Sequence, residues 1–265
     1  MSYEYWQKQS IDSPLFENLI WSKPQQKSRA GKLLIIGGNL HSISLPGEAY
    51  EIAQKQLVGD CKVVMPDATK KLLGSKPPLS IEFSSSTPSG SFSSKAYDDL
   101  VSFISWSNAT LFAGDFSHSS ETAILFEKLV SVPGMQIYTL DSVDNFIINP
   151  MSILNREDTL LVLNMAELQK YALNAGFQKA FISNMEILQL VEHLNEFTKT
   201  YSCHIVVEHN SQILVASGGQ VISTKLTKEP NEWQIKIATT AAVWWLQNPT
   251  KPLQAIATAI TQSGL

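Results

Sequence analysis

Apolar residues in this chain come in short unbroken runs, separated by longer stretches in which they recur every three or four positions. Runs of the first kind fill 33–36, 62–65, 80–83, 110–113, 136–140, 159–163, 204–208, 213–216 and 220–223. Several are apolar throughout, as strands covered on both faces require. Helical spacing marks 47–58, 68–73, 95–105, 120–131, 165–174, 184–199, 236–247 and 252–263. Strands separated by helices predict parallel pairing through right-handed crossovers, and hence an α/β fold. The last three strands are too closely spaced for crossovers and predict an antiparallel edge. Ser119 and Ser120 followed by Glu121 form a helix-start signal. A polar arm over 1–31 is expected to pack on a single domain spanning 32–265, and the serine-rich tract 84–94 reads as a mobile loop.

With 265 residues, 44% of them hydrophobic and 17% charged, the chain is long enough to bury a large core. A net charge of −4, with no basic run longer than Lys70-Lys71, argues against nucleic acid or an anionic membrane as partner. Cys61 and Cys203, far apart and flanked by apolar residues, read as buried free thiols and point to a reducing compartment. The start Met1-Ser2-Tyr3-Glu4-Tyr5-Trp6 lacks the pattern of a secretory signal. The apolar stretch 235–246 is interrupted by Lys236, Thr239 and Thr240 and is too short to span a bilayer. The expectation is a soluble cytoplasmic protein that takes a small-molecule or nucleotide ligand, with self-association left open. Trp244 and Trp245 point about 100° apart on a helix, so either both are core or one lies outside it and marks a subunit contact.

Candidate chemistry gathers where strands end. The first strand runs into Gly37-Gly38, which either lets backbone approach a ligand or makes an ordinary tight turn. Asn39 and His41 follow it, as substrate contacts or as polar loop. Asp141 and Asp144 follow another strand and are placed to hold substrate or a hydrated Mg²⁺, or to cap a helix. Asn164 and Glu167 follow a third, as site residues or as a helix start. Asp115, after Gly114, faces the cleft or caps a helix. His204 and His209 are five apart on a strand and its turn, hence on opposite faces, and His118 and His193 have no partner at ligand spacing, so no zinc site is expected. Neither a Gly-x-Ser-x-Gly elbow nor a phosphate-binding Gly-x-x-x-x-Gly-Lys-Ser/Thr loop occurs.

In order, several segments resemble the ADP- or ATP-dependent NAD(P)H-hydrate dehydratases, the carbohydrate-kinase-related family of ribokinase-like proteins that repairs hydrated nicotinamide cofactors. Ser28-Arg29-Ala30-Gly31-Lys32 through Gly37-Gly38-Asn39 resembles the family's entry strand, and Pro46-Gly47-Glu48-Ala49 with Gly59-Asp60-Cys61 its following helix and turn. Leu111-Phe112-Ala113-Gly114-Asp115-Phe116 stands where the family has Gly-Pro-Gly-Leu-Gly, and Leu140-Asp141-Ser142-Val143-Asp144 where it has Asp-Ala-Asp. Asn164-Met165-Ala166-Glu167 is similar to its Thr-Pro-His-x-x-Glu element, and Glu208-His209-Asn210 takes the place of its Leu-Lys-Gly turn. The resemblance implies a three-layer αβα sandwich, mostly parallel with an antiparallel edge, and ADP or ATP with Mg²⁺ as cofactor. It also implies substrate contacts at Asn39, Asp144, Asn164 and Glu167, and nucleotide contacts at Gly114, Glu208, His209 and Asn210.

The departures bear on activity. The family holds phosphate with a Gly-Thr-Gly-Asp motif at a helix N-terminus, where amides and helix dipole favour anions and the Asp is the base. The corresponding residues here run Pro230-Asn231-Glu232-Trp233-Gln234-Ile235-Lys236 to Thr240, without glycine or Asp. Glu208 also puts a repelling charge where the family has lysine. Two expectations follow. One is a divergent, nucleotide-dependent lyase of impaired activity; the other is a pseudoenzyme that keeps the fold for binding or assembly.

Overall fold

The computed structural model describes residues 3–73, 80–117, 119–227 and 232–265. Among them the chain begins with β1 (Trp6–Ser10), α1 (Glu17–Trp21), β2 (Lys32–Gly37), α2 (Ser44–Lys55), β3 (Asp60–Pro66) and β4 (Ile81–Ser84). It continues through α3 (Tyr97–Trp106), β5 (Ala109–Gly114), α4 (Ser120–Leu129), β6 (Met135–Thr139), α5 (Asp141–Asp144), α6 (Met151–Leu154), β7 (Thr159–Leu163) and α7 (Met165–Asn174). The last part is α8 (Ile187–Thr200), β8 (His204–His209), β9 (Gln212–Ser217), β10 (Gln220–Lys225), α9 (Trp233–Gln247) and α10 (Pro252–Thr261).

All ten strands join one sheet in the order β1-β10-β9-β8-β7-β6-β5-β2-β3-β4. Pairing is parallel from β8 to β4, β9 is antiparallel to both its neighbours, and β1 is parallel to β10. Alternate side chains of each strand enter opposite layers: Leu33, Ile35, Ala109 and Leu111 meet α2, α9 and α10, while Leu34, Ile36 and Phe112 meet α3, α4, α7 and α8. The result is the expected αβα sandwich with an antiparallel edge.

The sheet is wound outward in both directions from β2 and β5, so their carboxyl ends diverge and leave a crevice. Here Gly38 N–H donates to the Gly114 carbonyl at 3.0 Å. A Cβ on Gly37 would stand 2.8 Å from that same oxygen, and Gly114 has φ +104°. Only glycine permits both the approach and the turn.

Several expectations are corrected. The polar arm supplies a strand, β1, whose sequence Trp-Gln-Lys-Gln-Ser carries no alternating apolar pattern; it is held by its ladder and by Gln9, whose Nε2 donates to Thr224 Oγ1 and the Ala257 carbonyl. The tract 84–94 is a packed turn and no mobile loop: Ser91 and Phe92 are fully buried, and Leu40 N–H donates to the Gly90 carbonyl at 3.1 Å. The helix expected over 68–73 is a 3-10 turn, Asp67–Lys71. The two short helices α5 and α6 carry no periodic signal, and α5 falls on Asp141 and Asp144, where a capped helix is one of the two alternatives. Trp244 and Trp245 are both 1% exposed, because α9 is sandwiched between the sheet, α2 and α10 and is buried on every side from Ile237 to Leu246. Neither marks a subunit contact. Cys61 and Cys203 are buried free thiols, both pushed up to about 12 by burial and so unreactive. No helix of the described residues is long and apolar enough to cross a membrane.

Candidate ligand site at the carboxyl edge of the sheet

Each strand entering the crevice delivers a polar residue within a few positions of its end, and most of these residues first stabilise the local backbone. Asn39, 7% exposed, donates from Nδ2 to the Asp115 carbonyl at 2.6 Å, and its Oδ1 accepts from His41 and Ser42 N–H. Its amide therefore ties the end of β2 to the end of β5. Asp115, at φ +62°, accepts from Leu45 N–H at 3.0 Å and so caps α2 across the crevice. Asp141 Oδ2 accepts from Phe116 N–H at 2.7 Å. Burial raises the Asp141 pKa, and the neighbouring carboxylates Asp115 and Asp144 act in the same direction.

Asn164 and Glu167 form a reciprocal capping box at the start of α7: Asn164 Oδ1 accepts from Glu167 N–H at 2.9 Å, and Glu167 Oε2 from Asn164 N–H at 2.7 Å. Asn164→Ala is expected to cost about 1 kcal/mol through the lost cap, read as a lowered midpoint in urea denaturation. Glu167 has a second partner, Gln234 Nε2 at 3.2 Å, reaching across from α9. Burial pushes the Glu167 pKa up to about 7, with Asp144 contributing, while the hydrogen bonds from Asn164 and Gln234 oppose the shift.

On the α2 and α9 side of the crevice lies a cavity of about 450 Å³, walled by Leu45, Glu48, Leu140, Glu232, Trp233 and Gln234 among others. Gln234 links this cavity to Glu167. A shallower depression of about 250 Å³ holds Ser117, Ser119, Asp141 and Asp144. Neither is lined by a lysine or arginine of the described residues, and those residues contain no group of three acidic, histidine or cysteine side chains fit to hold a metal. At the start of α9, Glu232 is left-handed with φ +48° and makes no side-chain cap. Trp233 stands in the cavity wall, while Ile235, 2% exposed, also belongs to the core. His118, Pro230 and Asn231 lie outside the described residues.

Glu208, His209 and Asn210 are not drawn into either depression. Glu208 Oε1 accepts from Ser211 N–H at 3.0 Å, and Asn210 and Ser211, at φ +51° and +57°, make the two-residue turn joining β8 to β9. His209, 3% exposed, places Nε2 2.7 Å from the Met185 carbonyl. The structure thus brings Asp141, Asp144 and Glu167 to one edge, with Gly114 packed against Asp141. Sequence reasoning missed Glu48 and the pairing partner Gln234. Gln234 had a signal, since it falls within the segment that replaces the family's glycine motif.

No family model and no curated protein sequence matches the chain. Solved structures do. A ribokinase-like superfamily protein from Enterococcus faecalis superposes with a TM-score of 0.72 at 13% identity, over 98% of this chain and 87% of that one. The chain has the ribokinase-like fold. The ADP/ATP-dependent NAD(P)H-hydrate dehydratase of Bacillus subtilis, co-crystallised with ATP/Mg²⁺, matches with a TM-score of 0.61 at 11% identity, over 95% of this chain and 87% of that one. The pyridoxal kinase of Staphylococcus aureus, in complex with AMP-PCP and pyridoxal, gives 0.55 at 11% identity, over 86% and 84%. Nucleotide binding is thus at home in this fold, but the described residues at this edge do not fit a polyphosphate. Carboxylates line the depressions, Glu232 and Trp233 stand at the start of α9, and no cation of the described residues faces either depression.

Proposed function

We propose that the protein is a divergent relative of the dehydratase and kinase type that binds a small organic ligand in the cavity between α2 and α9 without gripping a nucleotide's phosphates. The observation that carries this reading is the start of α9. Where phosphate oxygens need converging amides and a clear approach, this chain has a left-handed Glu232 without a cap and the Trp233 indole, with Glu48 across the cavity. Two carboxylates facing the same space outweigh the roughly half-unit positive charge that a helix N-terminus supplies. Calorimetric titration with AMP, ADP and ATP, with and without Mg²⁺, is expected to give no saturable heat at millimolar ligand. Tight Mg²⁺-dependent binding of ADP or ATP would overturn the proposal.

A second reading, a dehydratase of altered nucleotide use, is favoured by the Glu167–Gln234 pair. A carboxyl group with a pKa near 7 at a strand end is suited to proton transfer, and α9 supplies an amide where the resemblance places a base. Incubation with hydrated NADH, ADP or ATP and Mg²⁺ separates the two. Recovery of NADH absorbance supports the second reading, and a flat trace from folded protein supports the first.

A further inference from the structure

A second cavity, of about 410 Å³, lies at the opposite end of the sheet, where the amino-terminal ends of β7 and β8 meet the carboxyl ends of α8 and α9. Its walls include Glu157, Asp158, Tyr201, His204, Ser217 and Trp245. His204 is only 7% exposed and sets its ring edge-to-face on Trp245, with centroids 5.0 Å apart. Its Nδ1 lies 2.7 Å from Ser217 Oγ. Nε2 has no hydrogen-bond partner among the described residues and is not sealed from solvent. Burial pushes the imidazole down to about 4, so at neutral pH it carries no charge and does not repel a cation.

Negative charge reaches the cavity from several directions. Two long helices end here, each presenting roughly half a negative charge on its last carbonyls, and the exposed carboxylates of Glu157 and Asp158 add to it. Cations stand here too: Lys199 lines the cavity with its Nζ turned back along α8 to Asn195 Oδ1 at 3.0 Å, Arg156 donates to the Val132, Gly134 and Asp158 carbonyls, and Lys251 is exposed just before Pro252. The start of α10 at Pro252 is the one opposing helix end.

We propose that this rear cavity binds a small organic cation, a primary amine or diamine, whose ammonium donates to His204 Nε2 and pairs with Asp158. Nδ1–H then donates to Ser217 Oγ, and the hydrocarbon part of the ligand lies along Pro249 and Pro252. The site is on the far side of the sheet from the crevice and does not depend on what binds there.

The test uses the full chain and 1,4-diaminobutane as probe, titrated calorimetrically at fixed ionic strength beside butane-1,4-diol and MgCl₂. Saturable binding of the diamine, absent for the diol, is expected, with at least a tenfold loss in Asp158→Asn and in His204→Asn. Asp158 is exposed, so its variant keeps the test open if the His204 variant fails to fold. Absence of saturable diamine heat, equal binding of the diol, binding of Mg²⁺ in its stead, or unchanged affinity in Asp158→Asn would each overturn the proposal.

Discussion

Glu167→Gln is expected to raise the unfolding free energy at pH 8 by up to about 3 kcal/mol, and to leave it nearly unchanged at pH 4.5. Burial pushes the Glu167 carboxyl up to about 7 in the folded protein, from an ordinary value of 4.5. Between these two pH values the native state holds a proton that the unfolded chain has released, so stability falls as pH rises through the window and the loss is complete above about 7. A shift of this size corresponds to about 3 kcal/mol at 1.36 kcal/mol per unit. Glutamine cannot titrate, yet it still serves at the third position of a capping box, so the α7 start survives. Urea denaturation at intervals from pH 4.5 to 8 reads the difference. Wild-type and variant stabilities that run parallel across that range would show that Glu167 is not held protonated by its surroundings.

The second large effect lies directly beneath the crevice. Phe112→Ala should destabilise the protein by about 3–5 kcal/mol, the usual cost of truncating a buried phenylalanine. Phe112 is fully buried, stacks on Tyr138 with centroids 4.4 Å apart and an interplanar angle of 2°, and meets Phe126 edge-on at 5.2 Å. Tyr138 in turn donates to Gln136 Oε1 at 2.7 Å, and Gln136 Nε2 donates to the Leu129 and Val132 carbonyls at 3.0 Å each. Because Gln136 is itself fully buried and anchored to backbone, its surroundings cannot collapse freely into the space left by the ring. Equilibrium denaturation gives the number; a loss below 1 kcal/mol would mean that the layer repacks.

The parallel sheet was legible because strands such as Leu33–Ile36 within β2 and Thr159–Leu163 are buried on both faces and are therefore apolar without interruption. The same physics hid β1. Its strand character resides in a ladder to β10 and in the Gln9 amide, neither of which leaves an apolar period in the sequence. Serine-rich 84–94 misled in the other direction, since a tract of small polar residues packs well once Phe92 anchors it and its hydroxyls and amides find partners within the turn. At the crevice, the positions after strands put Asp141, Asp144 and Glu167 at one edge of the sheet, because they follow β6 and β7 directly. Partner choice was not legible: that Asn39 closes a loop and that Gln234 crosses to Glu167 depends on contacts 76 and 67 residues apart.

The edge strand β1 also sets an order of events. Residues 6–10 precede the strand they pair with, β10, by over two hundred positions. Synthesis therefore carries β1 without its ladder until the hairpin of β9 and β10 exists, and this long separation slows closure of that edge. Removing β1 would leave β10 as a bare template for strands of other molecules. Strand β1 thus works as a late-arriving guard against aggregation.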